Sequence, residues 1–372
     1  MRITRALVDN TLLKSLSNSN DLRVKYFKEI STGKRINIAS DDPLGSARLI
    51  DLNKMLLQME RYQKNIDDSK TWVQLTEGAL DSMNEIMQRA ISEAMSGSND
   101  TLAKDARENM AAQIQEFLSS MVEQANTKNG SRYLFGGTVI DSPPFTITNK
   151  VENESFTSSL DAAVQLDQTD ISNDPIIVTS SDGSVTFVEG TDYEIDRKRG
   201  TITVLSSGSM ADSTNYSVSY TTNDASVVSV NEKGTDGKIV REIGKDQTMQ
   251  VNISGSKAFT DGNNIFQSLV DLKNALMRND GDEIRNTTEK LRQSDDQIVR
   301  YLGKAGLKYN HLTDTEQALT SYSLQIRSMK SSIEDADLAE ASVNLEVQDN
   351  AYNAALKAGA KILQLNLLDF LG

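Results

Sequence analysis

Apolar residues recur along this chain at helical spacing in two long runs and at strand spacing between them. In the first run one position returns every seven residues, as Leu52, Met59, Ile66, Val73, Leu80, Met87 and Ala94. Three residues ahead of it lies a second seam, Leu49, Leu56, Gln63, Lys70, Glu77, Asn84 and Ile91, which turns polar through its middle. Such a heptad stripe holds one face of a helix against neighbouring helices. Asp42 is placed to accept from the free amides at the helix start, and Pro43 brings the fixed φ favoured at a first helical position. Gly97, followed by Ser98-Asn99-Asp100, marks the stop. At ~1.5 Å per residue, Pro43 to Ser96 predicts a rod of roughly 80 Å. A shorter helix follows, with Ala106, Met110, Ile114, Phe117, Met121 and Ala125 on one face, ending at Asn129-Gly130. The second long run is stricter: Ile284, Leu291, Ile298, Ala305, Leu312, Leu319, Ile326 and Ile333 sit at seven-residue intervals, which implies supercoiled packing. Gly303 and Gly306 each weaken its middle by roughly 1 kcal/mol relative to alanine, so a kink or break is expected there.

Between these runs, from about Phe145 to Ser254, the pattern shortens to a period of two in a stretch rich in Thr, Ser, Val, Asp and Gly. Val185 with Phe187, Tyr193 with Ile195, Ile202 with Val204, and Tyr216, Val218 and Tyr220 each fit one face of a strand. Asp182-Gly183, Glu189-Gly190 and Arg199-Gly200 supply the turns. The fold class read from these patterns is α+β. It is an elongated, long-helix antiparallel coiled-coil bundle carrying an inserted small antiparallel β domain, with N- and C-terminal helices that order conditionally.

That last expectation comes from the two ends. The N-terminal stripe Leu13, Leu16, Asn20, Arg23, Phe27 and Ile30 has two polar members. The C-terminal stripe is Leu345, Tyr352, Leu356, Leu363, Leu367 and Phe370. A buried large apolar side chain contributes roughly 1.5–3 kcal/mol, while ordering costs about 1.5 kcal/mol per residue, so neither segment holds itself up alone. Either both ends close the bundle within one chain, or their apolar faces are reserved for a partner. The apolar run Leu367-Leu368-Asp369-Phe370-Leu371 favours the second.

Composition removes several functions. A net charge of -14 argues against nucleic acid and against an anionic membrane surface. No cysteine is present, which excludes disulfides and thiolate metal sites; the single histidine, His311, excludes an imidazole cluster and reads as a flank residue of the bundle. No apolar run approaches the roughly 20 residues that span a bilayer, and Met1-Arg2-Ile3-Thr4-Arg5-Ala6 lacks the apolar core of a secretory signal. Gly33-Lys34-Arg35 is not a phosphate loop, since no strand leads into it and the GxxxxGK[ST] spacing is absent. The acidic pairs Asp41-Asp42, Asp67-Asp68 and Asp295-Asp296 read as caps and solvated faces, because neighbours within a helix point about 100° apart. Trp72 beside Val73 reads as packing. With no located catalytic constellation, an enzyme is not expected, nor any cofactor or metal.

Two motifs carry a resemblance. Ser31-Thr32-Gly33-Lys34-Arg35-Ile36-Asn37 followed by Ser40-Asp41-Asp42-Pro43, and Ser332-Ile333-Glu334-Asp335-Ala336-Asp337 followed by an apolar helix, resemble the N- and C-terminal signatures of the bacterial flagellin family. Met1-Arg2-Ile3, Tyr133-Leu134-Phe135-Gly136-Gly137-Thr138 and Pro143-Pro144-Phe145 are similar to the branch of that family that joins the hook to the filament. The resemblance covers roughly 1–145 and 256–372; the stretch 146–255 matches nothing recognisable. Together with the periodicities it divides the chain into five segments: an N-terminal assembly and export segment (1–42), the first half of the helical rod (43–145), the inserted β domain (146–255), the second half of the rod (256–333) and a C-terminal assembly helix (334–372).

The resemblance further implies an extracellular flagellar subunit, exported by the flagellar type III apparatus without a cleaved signal. Its partners would be hook-associated protein 1, flagellin, further copies of itself in a ring and an export chaperone. The assembly interface would comprise Leu13, Leu16, Phe27, Ile30, Leu345, Tyr352, Leu356, Leu363, Leu367 and Phe370. Tyr133, Leu134, Phe135, Gly136 and Gly137 are either a glycine turn with an apolar plug or a contact that shapes the junction. Alternatives are a minor flagellin forming the filament itself, or a surface-binding module on a helical stalk.

Overall fold

The computed structural model describes residues 2–139, 142–231 and 234–371, without the side chains of 2–6, 8–9 and 362–371. In chain order the elements are α1 (Arg2–Thr32), α2 (Pro43–Gly97), α3 (Lys104–Ala125), β1 (Lys128–Asn129), β2 (Arg132–Tyr133), β3 (Phe145–Thr148), β4 (Lys150–Thr157), β5 (Ala163–Gln165), β6 (Ile177–Ser180) and β7 (Thr186–Phe187). They continue through β8 (Tyr193–Asp196), β9 (Thr201–Val204), β10 (Asn215–Thr221), β11 (Val227–Val230), β12 (Val240–Gly244), β13 (Gln247–Gln250), α4 (Gly255–Phe259), α5 (Ile265–Arg278), α6 (Gly281–Glu334) and α7 (Leu338–Leu371). The class is α+β. Contacts group the chain into two compact units, Met1–Lys64 with Glu316–Gly372, and Asn65–Thr315.

The heptads explain the long helices. All seven members of the Leu52–Ala94 stripe are buried, from Leu52 and Met59 through Ile66, Val73, Leu80 and Met87 to Ala94. On α6, Ile284, Leu291, Ile298, Ala305, Leu312 and Ile326 are buried, while Leu319 and Ile333 are half-buried. In the first unit Leu52, Met59 and Ile326 form a small core flanked by Leu56, Leu319 and Ile333. The polar Gln63 of the second seam is spent on a hydrogen bond from its Nε2 to Glu316 Oε1, 3.0 Å long. Helix α2 begins as read: Asp42 Oδ1 accepts from Gly45 N at 2.9 Å, and the helix ends at Gly97.

The expected break at Gly303 and Gly306 does not occur; α6 is continuous from Gly281 to Glu334. The buried residues on either side of the glycines, Ile298, Ala305 and Leu312, hold the register through them. Tertiary packing of a helical face outweighs a propensity cost of about 1 kcal/mol per glycine.

In the second unit the alternating stretch forms two antiparallel sheets, one ordered β4-β10-β6-β7 and one ordered β5-β9-β8. They share one core of Phe156, Leu166, Ile171, Val178, Phe187, Tyr193, Ile202, Val204, Met210, Tyr216, Val218 and Tyr220. Val185 departs from the expected pairing with Phe187: it precedes β7 and is exposed. Its amide is taken by Ser180 Oγ at 3.0 Å, within a tight turn that Asp182 braces by accepting from Ser184 N at 3.1 Å. The strand begins only after that turn. Three further pairs among the described residues, β1–β2, β3–β11 and β12–β13, lie outside the shared core.

Helix α5 escaped the sequence reading, although its signals are present. Asn264 caps it by accepting from Phe266 N and Gln267 N, and Asn279 closes it in the left-handed region at φ 59°. Its apolar face (Ile265, Phe266, Leu269, Val270, Leu272, Ala275 and Leu276) is buried. Its polar residues fasten the sheets within the same unit. Asn274 Nδ2 donates to Asp167 O at 2.6 Å and its Oδ1 accepts from Thr169 Oγ1 at 2.8 Å, while Lys273 Nζ donates to Ser226 Oγ at 3.0 Å. Burial pushes the Lys273 ammonium below its ordinary pKa, partly opposed by Asp224 and Asp170.

Candidate assembly surface

The chain ends meet in the first unit. Ser19 Oγ donates to Gln348 Oε1 at 3.2 Å, and Arg23 Nε lies 3.5 Å from Asp349 Oδ1. The Arg23 guanidinium stacks 4.8 Å from the centre of the Tyr352 ring. Nearer the terminus a Cβ added at Gly359 would lie 2.9 Å from Leu12 Cδ2, so the Leu12 side chain packs against the α7 backbone there. The contacts run from Ala336 beside Gly33 at one end to Gly359 beside Leu12 at the other, which is an antiparallel helix pair. The two polar members of the N-terminal stripe are therefore explained in part: Arg23 is the bridge to α7, not a defect in an apolar face.

What the pairing leaves uncovered is apolar. On α1, Leu7, Leu13, Val24 and Phe27 are exposed, Leu13 by 64% and Phe27 by 65%. On α7, Leu338, Val343, Val347 and Leu356 are exposed. Of the ten interface residues read from sequence, Leu13, Phe27 and Leu356 are exposed, and Leu16, Ile30, Leu345 and Tyr352 are half-buried between the paired helices and solvent. The side chains of Leu363, Leu367 and Phe370 lie outside the described residues. Val24, Val343 and Val347 were not picked out because β-branched residues off the main stripe look like ordinary helix filler.

The two family-type signatures lock together at the base of this pair. Gly33, at φ 71°, ends α1 in the left-handed region that glycine enters without penalty. Arg35 N donates to Glu334 O at 2.7 Å, and Ala336 N donates to Gly33 O at 3.0 Å. Lys34 Nζ meets Glu334 Oε1 at 2.6 Å, and Arg35 Nη2 donates to Ile333 O at 2.8 Å. The hydrogen bond and charge of Glu334 hold the Lys34 ammonium above its ordinary pKa. Asp41 accepts from Ile38 N at 3.0 Å and Asn37 N at 2.9 Å, which draws its carboxyl below the usual range. Asp337 opens α7 by accepting from Ala339 N at 2.9 Å and Glu340 N at 3.1 Å. The polar residues of both motifs thus serve as caps and cross-links.

In the second unit Leu134 and Phe135 are fully buried. Phe135 packs edge-on against Phe259, ring centres 4.8 Å apart, and its carbonyl accepts from Gly255 N at 3.1 Å. Phe145 joins the cluster against Phe259 and Phe266. Gly136 is buried as well, and Gly137 adopts φ 60°, with the carbonyl of Gly234 against the space a Cβ would need. Tyr133 is half-buried under Lys128, whose Nζ sits 4.4 Å from the ring centre. These residues plug the turn between α3 and the sheets; Leu134 and Phe135 present no free surface.

Among the described residues no cluster of His, Asp or Glu is arranged to hold a metal ion, and no helix is long and apolar enough to cross a membrane.

Comparison with known proteins bears on the same regions. The family model for the bacterial flagellin N-terminal helical region matches residues 3–139, and a second model, described only as a protein of unknown function, matches 107–236. Hook-associated protein 3 of Escherichia coli is 29% identical over 147 residues, which is 39% of this chain and 46% of that protein. The chain therefore spans about half the length of that relative. The flagellin of Clostridium tyrobutyricum is 24% identical over 358 residues, 91% of this chain and 93% of the flagellin. A solved structure of a putative flagellar hook-associated protein from Vibrio parahaemolyticus shares the fold, with a TM-score of 0.55 at 16% identity over 79% of this chain and 100% of its own. These relatives are parts of the flagellum, and the N-terminal helical match, the flagellin match over most of the chain and the shared fold make the chain similar to the bacterial flagellin family, with hook-associated protein 3 among the proteins it resembles.

Proposed function

We propose that this chain is an axial subunit of the bacterial flagellum that joins the hook to the flagellin filament through its paired terminal helices. The observation that carries the reading is the α1/α7 pair: two helices held to each other by polar contacts while Leu13, Phe27, Val343, Val347 and Leu356 remain exposed. A scattered exposed leucine is ordinary, but a run of large apolar side chains on both members of one helix pair is a surface that gains free energy only when covered. Neighbouring subunits in a tube would cover it, with Leu16, Ile30, Leu345 and Tyr352 completing the contact and Leu363, Leu367 and Phe370 extending it. Hook-associated protein 1 would be the neighbour on the cell-proximal side, flagellin on the distal side, and further copies of the chain beside it in a ring. Export through the flagellar type III apparatus, with a chaperone shielding the C-terminal helix, is the route that goes with this role. The flagellar hook-associated names of the relatives and the Tyr133–Thr138 motif support it.

Deletion of the gene followed by electron microscopy tests the proposal. Cells that keep a hook but shed unpolymerised flagellin are the expected result, and normal filaments would reject it. The near full-length match to a flagellin favours a second reading, a subunit of the filament itself. Spontaneous growth of long filaments from the purified chain would decide for that reading.

A further inference from the structure

In the second unit α2, the β1–β2 turn and the β12–β13 pair enclose a cleft of about 420 Å³. Trp72 of α2, 8% exposed, and Val251, just past β13, give it an apolar wall. Two arginines line it from different elements, Arg132 on β2 and Arg241 on β12, and both are exposed. The backbone sets where they stand. Arg132 pairs with Asn129 across a turn that Gly130 makes at φ 62°, and Asn65 Nδ2 donates to Glu242 O at 2.8 Å, which ties β12 to α2 beside Arg241. No carboxylate of the chain draws them in, since neither forms an ion pair among the described residues. Asp68 is the one carboxylate among the lining residues, so two cations face one anion in a chain whose net charge is -14. Trp72 Nε1 is buried and meets no acceptor among the described residues, so the wall also contains a donor that the chain does not spend. At Gly130 nothing lies within 4 Å of where a Cβ would stand, which leaves the turn open on that side.

We infer that this cleft seats a carboxylate-bearing segment of a second copy of the chain, with the acid held by the Arg132 and Arg241 guanidinium groups beside Trp72. A guanidinium presents a planar fork that matches a carboxylate, and a cleft lined by an excess of one charge sign draws the opposite sign toward it. The apolar wall selects the size of the occupant. A free small anion would engage the arginines and leave Trp72 and Val251 beside water, whereas a peptide segment covers both. Composition selects its source: with 53 acidic against 39 basic residues, a second copy offers mostly acid to this basic lining. The inference rests on the proposed function for the presence of neighbouring copies. It involves neither α1 nor α7, so the cleft exists in the free chain whether or not those helices are ordered.

Photocrosslinking tests it on the full-length chain. Ser131, exposed in the cleft lining, is replaced by p-benzoylphenylalanine, the chain is expressed in deletion cells, and the isolated flagella are irradiated. The expected product has twice the mass of the chain, and its digest joins the β1–β2 turn to a segment of a second copy that contains Asp or Glu. Its yield should fall about tenfold in R132E/R241E and stay within about threefold in R132K/R241K, which keeps both charges. Both arginines are exposed, so purified R132E/R241E should keep the thermal midpoint and the emission of Trp72, the only tryptophan. R132Q/R241Q, a milder loss of charge, should lower the yield in the same direction. The inference is overturned if cross-links stay within one chain, reach flagellin or another protein, or join a segment without acid. An unchanged yield in the charge reversal and in R132Q/R241Q would equally overturn it. Absence of the chain from flagella would refute the proposed function together with this contact, whereas a chain that is incorporated but gives no cross-link overturns the contact alone.

Discussion

Replacing Phe27 by serine separates a surface kept for neighbours from one that stabilises the chain itself. Full burial of a phenylalanine side chain is worth roughly 1.5–3 kcal/mol. Phe27 is 65% exposed, so about one third of that, roughly 0.5–1 kcal/mol, is realised within the chain, and about two thirds, roughly 1–2 kcal/mol, is left for a neighbour. At 1.4 kcal/mol per factor of ten, each subunit contact that covers Phe27 should weaken about 5- to 30-fold in F27S. The isolated chain should lose no more than a few degrees in its thermal midpoint. Two assays on one variant read the two parts: thermal unfolding of the purified chain, and the fraction of secreted chain recovered in flagella isolated from complemented deletion cells. A large drop in the midpoint would show that Phe27 already packs within the chain. Wild-type incorporation with an unchanged midpoint would show that no neighbour covers it, and the reasoning from exposed apolar surface would fail.

Among the residues of α1 whose side chains are described, only Ser19 and Glu29 are buried, so α1 amides in the free chain should exchange faster than those of α2 between Ile66 and Met87; equal protection would contradict conditional ordering. Phe259→Ala removes the ring against which Phe135 and Phe145 pack and should cost about 3–5 kcal/mol in urea denaturation of the second unit, while leaving the α1/α7 contacts intact by exchange. Gly137→Ala forces a side chain into a left-handed backbone that also faces the Gly234 carbonyl, for a loss of about 1–3 kcal/mol or more by the same assay. Burial raises the Glu154 carboxyl above its ordinary 4.5, against the opposing hydrogen bonds from Tyr220 and Asp167. Its contribution to stability is therefore fully present below the unfolded pKa and lost as pH rises through the raised folded value. E154Q should thus gain on the wild type in urea midpoints as pH rises above the ordinary carboxylate range, and a parallel pH dependence would refute the assignment.

The long helices were legible because a strict seven-residue repeat has one good structural answer, and every member of the Leu52–Ala94 stripe is buried as that answer requires. Strand faces such as Tyr216, Val218 and Tyr220 were legible for the same reason at a period of two. Strand order was not: β10 pairs with β4 through Asn215 and Thr157, residues far apart in sequence, and alternation carries no information about partners. Local hydrogen bonding also overrode alternation at Val185, where a serine hydroxyl captured the amide that a strand would have used. At Tyr133–Gly137 the sequence supported two readings, because an apolar pair beside glycines looks identical whether it plugs a core or greets a partner. Burial separates them for Leu134 and Phe135.

The terminal helices pose the opposite difficulty. Their stripes read as interfaces in the sequence, and the structure uses one side of each helix to pair α1 with α7 while leaving the other side apolar and open. Each helix closes on the other along one side and leaves an apolar side open on the other. That division has a physical basis in residue type. The contacts between α1 and α7 include Ser19, Arg23, Gln348 and Asp349, polar groups that satisfy one another yet lose little to water if the pair opens. The uncovered residues are Leu13, Val24, Phe27, Val343 and Val347, whose gain on burial depends on area and on no particular partner geometry. A pair held by exchangeable polar bonds and finished by undirected apolar burial can order late and accept unlike neighbours, which is what a subunit between two different tubes requires.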